Sequence, residues 1–306
     1  MPDPVEVLPT LHLLPARPAG YTGFFPPNVW LVHDGEEGVL VDSGFGDEES
    51  VAERLRQLRE GFPRVRVRWV VLTHVHMDHS GGAHRFREEL SARIAMHRLE
   101  EAGVREAADT PEEDLDVPPQ LRHLSSAVAL ATPDRLLDDG DLVEAGAVRL
   151  RAVHTPGHRL GHNCYLYEFG GKRVLFTGDH IVGAGTVAVS PPPAGSMSRY
   201  MESLALVLSL EADLLCPGHG PVVPEPRAFV ERLVAHRRMR EAQVLRYVRE
   251  GRDELERLLR AIYPEIDKRL WPFARGQVRS HLAKLEEEGR IRVERADGVE
   301  RALPTG

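Results

Sequence analysis

Short apolar runs broken by turn residues mark the first two-thirds of the chain. "NVWLVHD" and "GVLVDSG" (residues 28–34 and 38–44) are β-branched runs separated by a turn-like stretch, which predicts a hairpin. "VRVRWVVLT" (65–73) starts with alternating residues and becomes fully apolar, as expected for a strand that enters a covered sheet. Similar runs predict later strands at "AVRLRAV", "CYLYEF", "KRVLFTG" and "ADLLC".

Segments whose apolar residues recur at helical spacing separate these predicted strands. In residues 47–62 the apolar positions Val51, Leu55 and Leu58 share one helical face, and Gly61 is a stop signal. Residues 197–210 predict a second helix, and a long third helix covers about 227–250. Strands that alternate with helices predict an α/β domain.

The C-terminal tail has a different pattern. "RDELERLLRAIY" and "ARGQVRSHLAKLEEEGR" predict two amphipathic helices, and "IRVERADGVERAL" predicts a hairpin with Asp297 and Gly298 in its turn. Helices closed by a two-stranded wing are typical of a winged helix. We therefore expect an α/β domain over residues 1–224, a connecting helix over 225–250 and a winged-helix domain over 251–306.

Residues 98–131 interrupt the strand pattern. This segment is acidic and contains the helix-breaking stretch "TPEEDLDVPPQ". It predicts an inserted, partly helical segment beside the sheet. Such a segment either shapes a substrate entrance or is a plain helical excursion.

Composition narrows the function classes. The chain has 306 residues, 28% of them charged, and a formal net charge of −8, so no overall basic charge draws it to nucleic acid or anionic lipid. Two cysteines, Cys164 and Cys216, cannot build a disulfide framework. The first 20 residues have neither a basic start nor a long apolar run, so we expect a cytoplasmic protein without a membrane span. The preference for arginine over lysine, with 23 prolines, is typical of a GC-rich bacterial genome.

The stretch "VVLTHVHMDHSGG" (70–82) concentrates possible metal ligands. His74, His76, Asp78 and His79 lie in one loop directly after a strand. Zinc binds imidazole nitrogen and carboxylate oxygen, mostly with four ligands, and keeps one position open when it is catalytic. One metal cannot use all four side chains and stay open, whereas two adjacent metals can if further ligands arrive from elsewhere.

Three further candidates, His154, Asp179 and His219, each follow a predicted strand. The seven residues divide naturally into His74, His76 and His154 on one metal. Asp78, His79 and His219 then bind the other metal, with Asp179 as the bridge. His158, His162 and His180 stand beside these motifs, where they either orient a ligand or make ordinary turn hydrogen bonds. The remaining histidines are interpreted as surface or core residues: His12, His33, His84, His97, His123 and His236.

The ordered motifs "THVHMDH", "HTPGH", "TGD" and "PGHG" resemble those of the metallo-β-lactamase superfamily, from about Leu11 to Val223. The resemblance implies a four-layer αβ/βα sandwich followed by a small winged-helix domain, with a dinuclear site at one edge of the two sheets. It assigns the same metal roles to the seven residues. Asp42 in "VLVDSG" matches an aspartate that typically braces the metal loop rather than binding metal.

Two metals imply hydrolysis by a bridging hydroxide that attacks carbonyl carbon or phosphorus. We expect two Zn²⁺ ions per chain, although iron or manganese occupies similar sites, and we expect Asp78 to be the catalytic carboxylate that accepts or orients the proton of the water. The tail resembles that of a winged-helix subgroup, which includes members that cleave single-stranded RNA and relatives that hydrolyse thioesters on carrier proteins.

Three functions stay open. The favoured one is cleavage of single-stranded RNA, and the alternative is hydrolysis of a small acyl substrate by a (thio)ester hydrolase of the glyoxalase II or acyl thioesterase type. The third is a winged-helix DNA-binding regulator with a vestigial metal site. Residues 251–306 contain 12 Arg or Lys and 11 Asp or Glu, which makes duplex DNA an improbable partner and favours a packing or dimerising module. The preceding helix carries arginines that either attract phosphates or form a solvated face: Arg227, Arg232, Arg237, Arg238, Arg240, Arg246 and Arg249.

Overall fold

The computed structural model describes residues 2–17, 25–110, 126–267, 270–296 and 299–305. The chain forms two compact units. The first contains Met1–His154, Gly161–Gly185 and Ala212–Pro224, and the second contains Thr155–Leu160, Thr186–Glu211 and Glu225–Gly306. The predicted Asp297–Gly298 turn, His123 and residues 111–125 of the inserted segment lie outside the described residues.

In the described part of the first unit, seven strands form one sheet in the order β1-β2-β3-β4-β5-β6-β7. Strands β1 to β4 pair antiparallel, and β4 to β7 pair parallel. Their bounds are β1 Val5–Leu8, β2 Leu11–Leu13, β3 Trp30–His33, β4 Glu37–Val41, β5 Arg66–Val71, β6 Arg93–His97 and β7 Arg135–Leu137. The hairpin predicted at 28–44 is confirmed as β3 and β4.

A second sheet in this unit has the order β12-β11-β10-β9-β8. Its strands pair antiparallel except β11 and β12, which are parallel. The bounds are β8 Leu142–Ala145, β9 Val148–His154, β10 Asn163–Phe169, β11 Lys172–Gly178 and β12 Leu214–Pro217.

The helices of the first unit are α1 Glu48–Gly61, α2 Met77–Ser80, α3 Ala83–Leu90 and α4 Glu101–Asp109. Helix α1 begins where the sequence predicts, because the Asp47 carboxylate accepts the N–H of Ser50 at 2.9 Å and caps the first turn. In the described residues of the segment 98–131, helix α4 follows a 3₁₀ turn at Arg98–Glu100, and a second 3₁₀ turn covers Ala127–Leu130. These described residues are therefore partly helical.

Two apolar cores hold the layers of this unit together. Trp30 and Val71 of the larger sheet meet Tyr165 and Phe176 of the smaller one, so the two sheets pack face to face. The opposite face of the larger sheet packs against α1, α3 and α4 in a second core. The layers of this unit thus follow in the order helices, larger sheet, smaller sheet, as the α/β pattern and the family resemblance imply.

The parallel pairings bring several loops to one edge. Strands β4, β5 and β6 run in the same direction, so their carboxyl ends lie at the same edge of the larger sheet. In the smaller sheet β11 and β12 are also parallel and end at Gly178 and Pro217. The predicted ligands follow directly after β5, β11 and β12, which is why residues distant in sequence can meet.

Sequence patterns do not predict some of the short strands. The N-terminal strands β1 and β2 are short and lie in a proline-rich stretch, with Pro9 in the turn between them. Strands β6 and β7 hold five and three residues. Such short runs cannot be distinguished from loops by periodicity, since tertiary pairing and not local alternation defines them.

The second unit contains α5 Met197–Ser209, α6 Pro226–Arg249, α7 Leu255–Ile262, α8 Trp271–Glu287, β13 Ile291–Ala296 and β14 Val299–Pro304. Apolar residues of α7, α8 and both strands share one core with the C-terminal end of α6. The antiparallel pairing of β13 and β14 forms the wing, so the winged-helix prediction is confirmed. In the described residues, no helix combines the length and the apolar content that a membrane crossing requires.

His281 on α8 makes the stability of this unit sensitive to acid. Burial lowers the pKa of His281 from 6.5 to about 3, and positive charge on Arg237, Lys284, His236 and Arg240 acts in the same direction. The unfolded chain takes up a proton below pH 6.5, whereas the folded unit resists it until about pH 3. Stability is therefore lost as the pH falls through this window, by about 2 kcal/mol from pH 7 to pH 5.

Hydrogen exchange of the α8 amides, corrected for intrinsic rates, measures this loss. A His281→Leu variant should show a pH dependence of protection that is weaker by about 2 kcal/mol over the same range. His84→Leu in the first unit is the matched control and should keep the wild-type dependence. Equal pH dependence in wild type and His281→Leu would show that His281 carries no such linkage.

Candidate metal centre

One carboxylate organises the loops at this edge. Asp42 follows β4 in a left-handed conformation with φ 61° and is 1% exposed. Its oxygens accept the backbone N–H of Thr73 at 2.8 Å, the Thr73 hydroxyl at 2.9 Å and the Nδ1–H of His79 at 2.8 Å. Asp42 thus connects the end of β4 with the end of β5 and with α2, and among the described residues it lies outside the donor clusters, as expected for an aspartate that braces the loop.

The rings of His79 and His219 point their Nε2 atoms at one place. Nδ1 of His79 donates to Asp42, and Nδ1 of His219 donates to the carbonyl of Phe25 at 3.1 Å. These acceptors fix the tautomer, so Nε2 is the unprotonated nitrogen in each neutral ring. The two Nε2 atoms are 3.2 Å apart. Ligands about 2.0–2.1 Å from a tetrahedral zinc stand about 3.3 Å apart, so a metal fits this pair.

Two carboxylates face the same place. Asp78 Oδ2 lies 3.2 Å from His219 Nε2 and 3.9 Å from His79 Nε2. Asp179 Oδ1 lies 3.4 Å from His79 Nε2 and 3.5 Å from His219 Nε2. Four donors from three loops therefore converge, and their nitrogen and carboxylate chemistry suits a divalent cation.

The same carboxylates control protonation of the imidazoles. Burial disfavours the charged form of His79, but the negative charges of Asp179, Asp42 and Asp78 outweigh it and raise the pKa of His79 well above 6.5. The pKa of His219 is also raised, since Asp179 and Asp78 outweigh its burial. Burial opposes ionisation of Asp78, but His79 and His219 hold the pKa of this carboxyl below its usual range. The site is built for positive charge, so metal and protons compete for the same nitrogens.

His74 and His76 bring a second pair of ring nitrogens close together. The Thr73 hydroxyl donates to Asp42, so it accepts from His74 Nδ1 at 3.1 Å, and Nε2 of His74 points toward His76. His74 Nε2 lies 2.9 Å from His76 Nδ1. The ligand atoms of His74, His79 and Asp179 all lie within 4.8 Å of one another, as do those of Asp78, His79 and His219. These are two adjacent donor clusters that share His79.

Two glycines permit the close approach of the loops. Gly178 has φ 44°, and a Cβ there would lie 2.4 Å from the Thr73 hydroxyl oxygen. A Cβ on Gly218 would lie 2.6 Å from Cε1 of His79. Asn28 fixes the second loop by donating to the carbonyls of Pro217 at 2.9 Å and Gly220 at 2.8 Å. The "TGD" and "PGHG" motifs therefore need glycine for steric reasons.

His154 departs from the predicted arrangement. Its ring stacks on His97 with centroids 4.0 Å apart and planes 10° apart, and its backbone N–H donates to Asp139 at 2.9 Å. Among the described residues of the first unit, the other six predicted ligands either belong to the donor clusters or lie within hydrogen-bond distance of a member, as His76 does. His154 does neither. The reason is local: His154 is the last residue of β9, and its ring lies against the end of β6.

The profile of the Metallo-beta-lactamase superfamily matches residues 22–219, which span the bracing aspartate and all the clustered donors. The chain belongs to the metallo-beta-lactamase superfamily. The profile of the beta-lactamase associated winged helix domain matches residues 255–298.

Relatives within the metallo-beta-lactamase superfamily resemble most of the chain. A Beta-lactamase-like protein 2 homolog of Drosophila melanogaster is 30% identical over 274 residues, which cover 88% of this chain and 85% of that protein. An Atrochrysone carboxyl ACP thioesterase of Aspergillus fumigatus is 30% identical over 222 residues, covering 71% of this chain and 58% of that protein. The crystal structure of a Beta-lactamase domain protein from Burkholderia ambifaria has a TM-score of 0.82 and 26% identity, covering 99% of this chain and 94% of that one.

These findings confirm the predicted fold class and family. The chain has the metallo-beta-lactamase fold with a C-terminal winged helix, and it is an enzyme of a hydrolase family. The fold and the His/Asp clusters together indicate divalent metal binding. The ligand role of each residue stays a prediction.

Sequence reasoning missed a residue that supports the metal loop. Glu100 is 1% exposed, and its carboxylate accepts the backbone N–H of Val75 at 2.9 Å, between His74 and His76. Glu100 belongs to the segment that the sequence pattern indicates as an insertion, which hides its role. A prediction of strand β6 would have revealed it, since that strand ends at the same edge as β5.

We expect Asp42→Asn to weaken metal binding. The amide oxygen of an asparagine still accepts the Thr73 N–H. Its NH2 group then occupies the position of the second carboxylate oxygen, where it cannot accept from the Thr73 hydroxyl and from His79 Nδ1. His79 then loses its fixed tautomer, and zinc affinity should fall about 10- to 100-fold. Competition with a chromophoric chelator measures the change.

Asp34→Asn is the matched control, because Asp34 also accepts backbone N–H groups, from Glu36, Glu37 and Ala147, but away from the donor clusters. It should bind zinc like the wild type. Unchanged zinc affinity in Asp42→Asn would refute the bracing role.

Proposed function

We propose that this enzyme is a dinuclear zinc hydrolase that cleaves a thioester or ester of a small acyl substrate. The observation that carries the proposal is the convergence of Asp78, His79, Asp179 and His219, with imidazole tautomers fixed so that Nε2 faces the carboxylates. Nitrogen and carboxylate donors suit zinc better than calcium or magnesium, and iron or manganese accepts similar sets.

In the proposed ligand set, Asp78, His79 and His219 would hold one metal, His74 and His76 would hold the other, and Asp179 would belong to both sets. His154, the third ligand that the sequence predicts for the second metal, lies outside the donor clusters of the first unit, and its ligand role stays a prediction.

The residues of the site support hydrolysis at neutral pH. Bound metals supply an activated water and polarise the carbonyl oxygen of the substrate. The low pKa of Asp78, which His79 and His219 maintain against the effect of burial, keeps its carboxylate ionised. An ionised Asp78 can accept a hydrogen bond from the attacking water and orient it, so Asp78 is the proposed catalytic carboxylate.

Thioester hydrolysis has better support than RNA cleavage. The Aspergillus relative is named a thioesterase of an acyl carrier protein substrate. The RNA hypothesis draws on the winged-helix resemblance and on the arginines of α6, but Arg237 is 3% exposed and donates to Val187 and Gln277. Arg227 and Arg246 lie within 4 Å of glutamates, at 3.9 Å and 3.8 Å. Phosphate binding requires accessible positive charge, which Arg232, Arg238 and Arg249 still offer, so the RNA hypothesis stays a prediction with less support than thioester hydrolysis.

The regulator hypothesis is also weakly supported. On α8, Lys284 lies against Glu241 at 2.7 Å, and Arg279 lies 2.9 Å from Glu300. A helix whose cations are paired with carboxylates has little charge to offer to duplex DNA. The donor clusters, in turn, keep a complete set of ligand types, which a vestigial site has no need to retain.

The test is a hydrolysis assay on the purified full chain loaded with zinc. We expect release of free thiol from a short acyl thioester, loss of this activity with a chelator, and recovery when zinc is returned. Asp78→Asn should lower kcat by at least about 100-fold, because it removes both a ligand and the oriented water. Single-stranded RNA in the same buffer should stay intact.

Two outcomes contradict the proposal. If the zinc-loaded protein cuts single-stranded RNA in a salt-sensitive way and leaves thioesters intact, the RNA hypothesis replaces it. If thioester hydrolysis persists unchanged after metal removal, the site does not act through metals. Arg238→Ala is the variant to compare with the wild type in the RNA assay, since Arg238 is exposed on α6.

A further inference from the structure

A short segment of the first unit lies against the loop that carries His219. We call this segment, residues 25–28 with the sequence "FPPN", the strap. Phe25 O accepts the Nδ1–H of His219 at 3.1 Å, and Pro27 pairs with His219 in an isolated antiparallel bridge. The strap therefore supplies the acceptor that orients the ring of His219, and its own position determines where that acceptor lies.

The two prolines limit how the strap can be held. Pro26 and Pro27 lack a backbone N–H, so this stretch cannot pair along its length as an ordinary strand. Asn28 supplies the donor that they lack, since its backbone N–H donates to Gly218 O at 2.7 Å. This bond joins the strap to the loop of His219, and the proline carbonyls remain as acceptors for other elements.

Arg54 on α1 joins the strap to the helical layer of the first unit. Its Nη2 donates to Pro27 O at 3.0 Å, and its Nε donates to Leu14 O at 3.2 Å, directly after β2. Its Nη1 lies against Gly44, where a Cβ would stand only 2.3 Å away. The guanidinium is thus enclosed by three backbone segments, and one of its hydrogen bonds ends on the strap.

The complete burial of Arg54 indicates that its position matters. Its side chain is 0% exposed, and burial lowers the pKa of Arg54 to about 10 against the opposing charge of Asp47. The guanidinium therefore stays charged at neutral pH, and a buried charge is costly unless its hydrogen bonds are well placed. Arg59 on the same helix is 60% exposed and pairs with Glu89, as an arginine with only a surface role would.

We infer that Arg54 is a positioning residue for His219 and acts through the backbone of the strap. The contacts run from the guanidinium to Pro27 O, along the stiff proline backbone, and from Phe25 O to the Nδ1–H of the imidazole. All of these residues lie in the first unit. This role rests on the proposed function, because it takes His219 to be a metal ligand. It connects the first helix of the chain to the metal centre.

Two variants of the full chain compare a buried donor that reaches the strap with one that does not. Arg54→Met removes the bonds to Pro27 and Leu14 but keeps an unbranched side chain. Gln57→Met is the matched control, because Gln57 lies on the same helix, is 1% exposed and donates to Pro15 O at 2.8 Å, away from the strap. Both variants should lower the melting temperature of the metal-free protein, since each leaves a backbone carbonyl without its donor.

Only Arg54→Met should loosen the strap and weaken zinc binding. In the metal-free protein, hydrogen exchange of the Asn28 amide, corrected for the change in global stability, should speed up in Arg54→Met and not in Gln57→Met. Zinc affinity, measured by chelator competition, should fall about 10-fold in Arg54→Met, the lower end of the loss typical for outer hydrogen-bond partners. The absorption spectrum of the cobalt-loaded protein reports ligand geometry and should change in that variant alone.

Two further variants separate positioning from folding. Arg54→Lys keeps the charge and one donor, so its zinc affinity should lie between those of the wild type and Arg54→Met, and it replaces Arg54→Met if that variant does not fold. In a His219→Ala background, Arg54→Met should have little further effect on zinc, because a residue that acts through His219 has nothing left to position.

The contradicting outcomes differ for the positioning role and for the proposed function. If the Arg54 variants bind zinc as tightly as the wild type, if Gln57→Met weakens zinc equally, or if Arg54→Met costs the same with and without His219, Arg54 does not position His219. If His219→Ala itself retains full zinc content and affinity, the proposed ligand set is wrong. Failure of the wild type to hydrolyse thioesters, with Arg54 and His219 still coupled in zinc binding, would contradict only the proposed substrate.

Discussion

The buried carboxylate of Asp42 is the interaction on which the metal centre depends. It receives three hydrogen bonds, two from Thr73 and one from His79, and it leaves the sheet in a left-handed conformation that aims it across the ends of two parallel strands. A carboxylate buried at 1% exposure must be satisfied by such donors. The same three bonds that stabilise it set the orientation of His79 and, through the Thr73 hydroxyl, of His74.

A common rule then appears among the imidazoles. His79 and His219 each donate Nδ1–H to an oxygen, respectively a carboxylate and a backbone carbonyl. Each ring is thereby oriented before any metal arrives, and Nε2 is the nitrogen that a metal can use. The carboxylates of Asp78 and Asp179 supply the negative charge that makes a cation favourable there. Pre-orientation of this kind reduces the reorganisation that metal binding would otherwise require.

The sequence predicts this centre well where the chemistry is local. His74, His76, Asp78 and His79 lie within one loop, so their spacing alone reveals a site. Asp179 and His219 are recognisable because their strands are regular and their loops require glycine.

Prediction fails where tertiary contacts decide. His154 stacks on His97 and does not join the donor clusters of the first unit, and this contact leaves no trace in local spacing. Glu100 lies in a segment without a clear pattern, and Arg237 is buried although arginine on a mixed helix is ordinarily exposed. The short strands β1, β2, β6 and β7 are likewise defined by their partners.

The most direct measurement is anomalous scattering at the zinc edge from crystals of the zinc-loaded protein. The account predicts two peaks per chain, about 3.5–4 Å apart, with Asp78, His79 and His219 around one peak and Asp179 between the two. A single peak, or zinc bound away from Asp78 and His79, would contradict it.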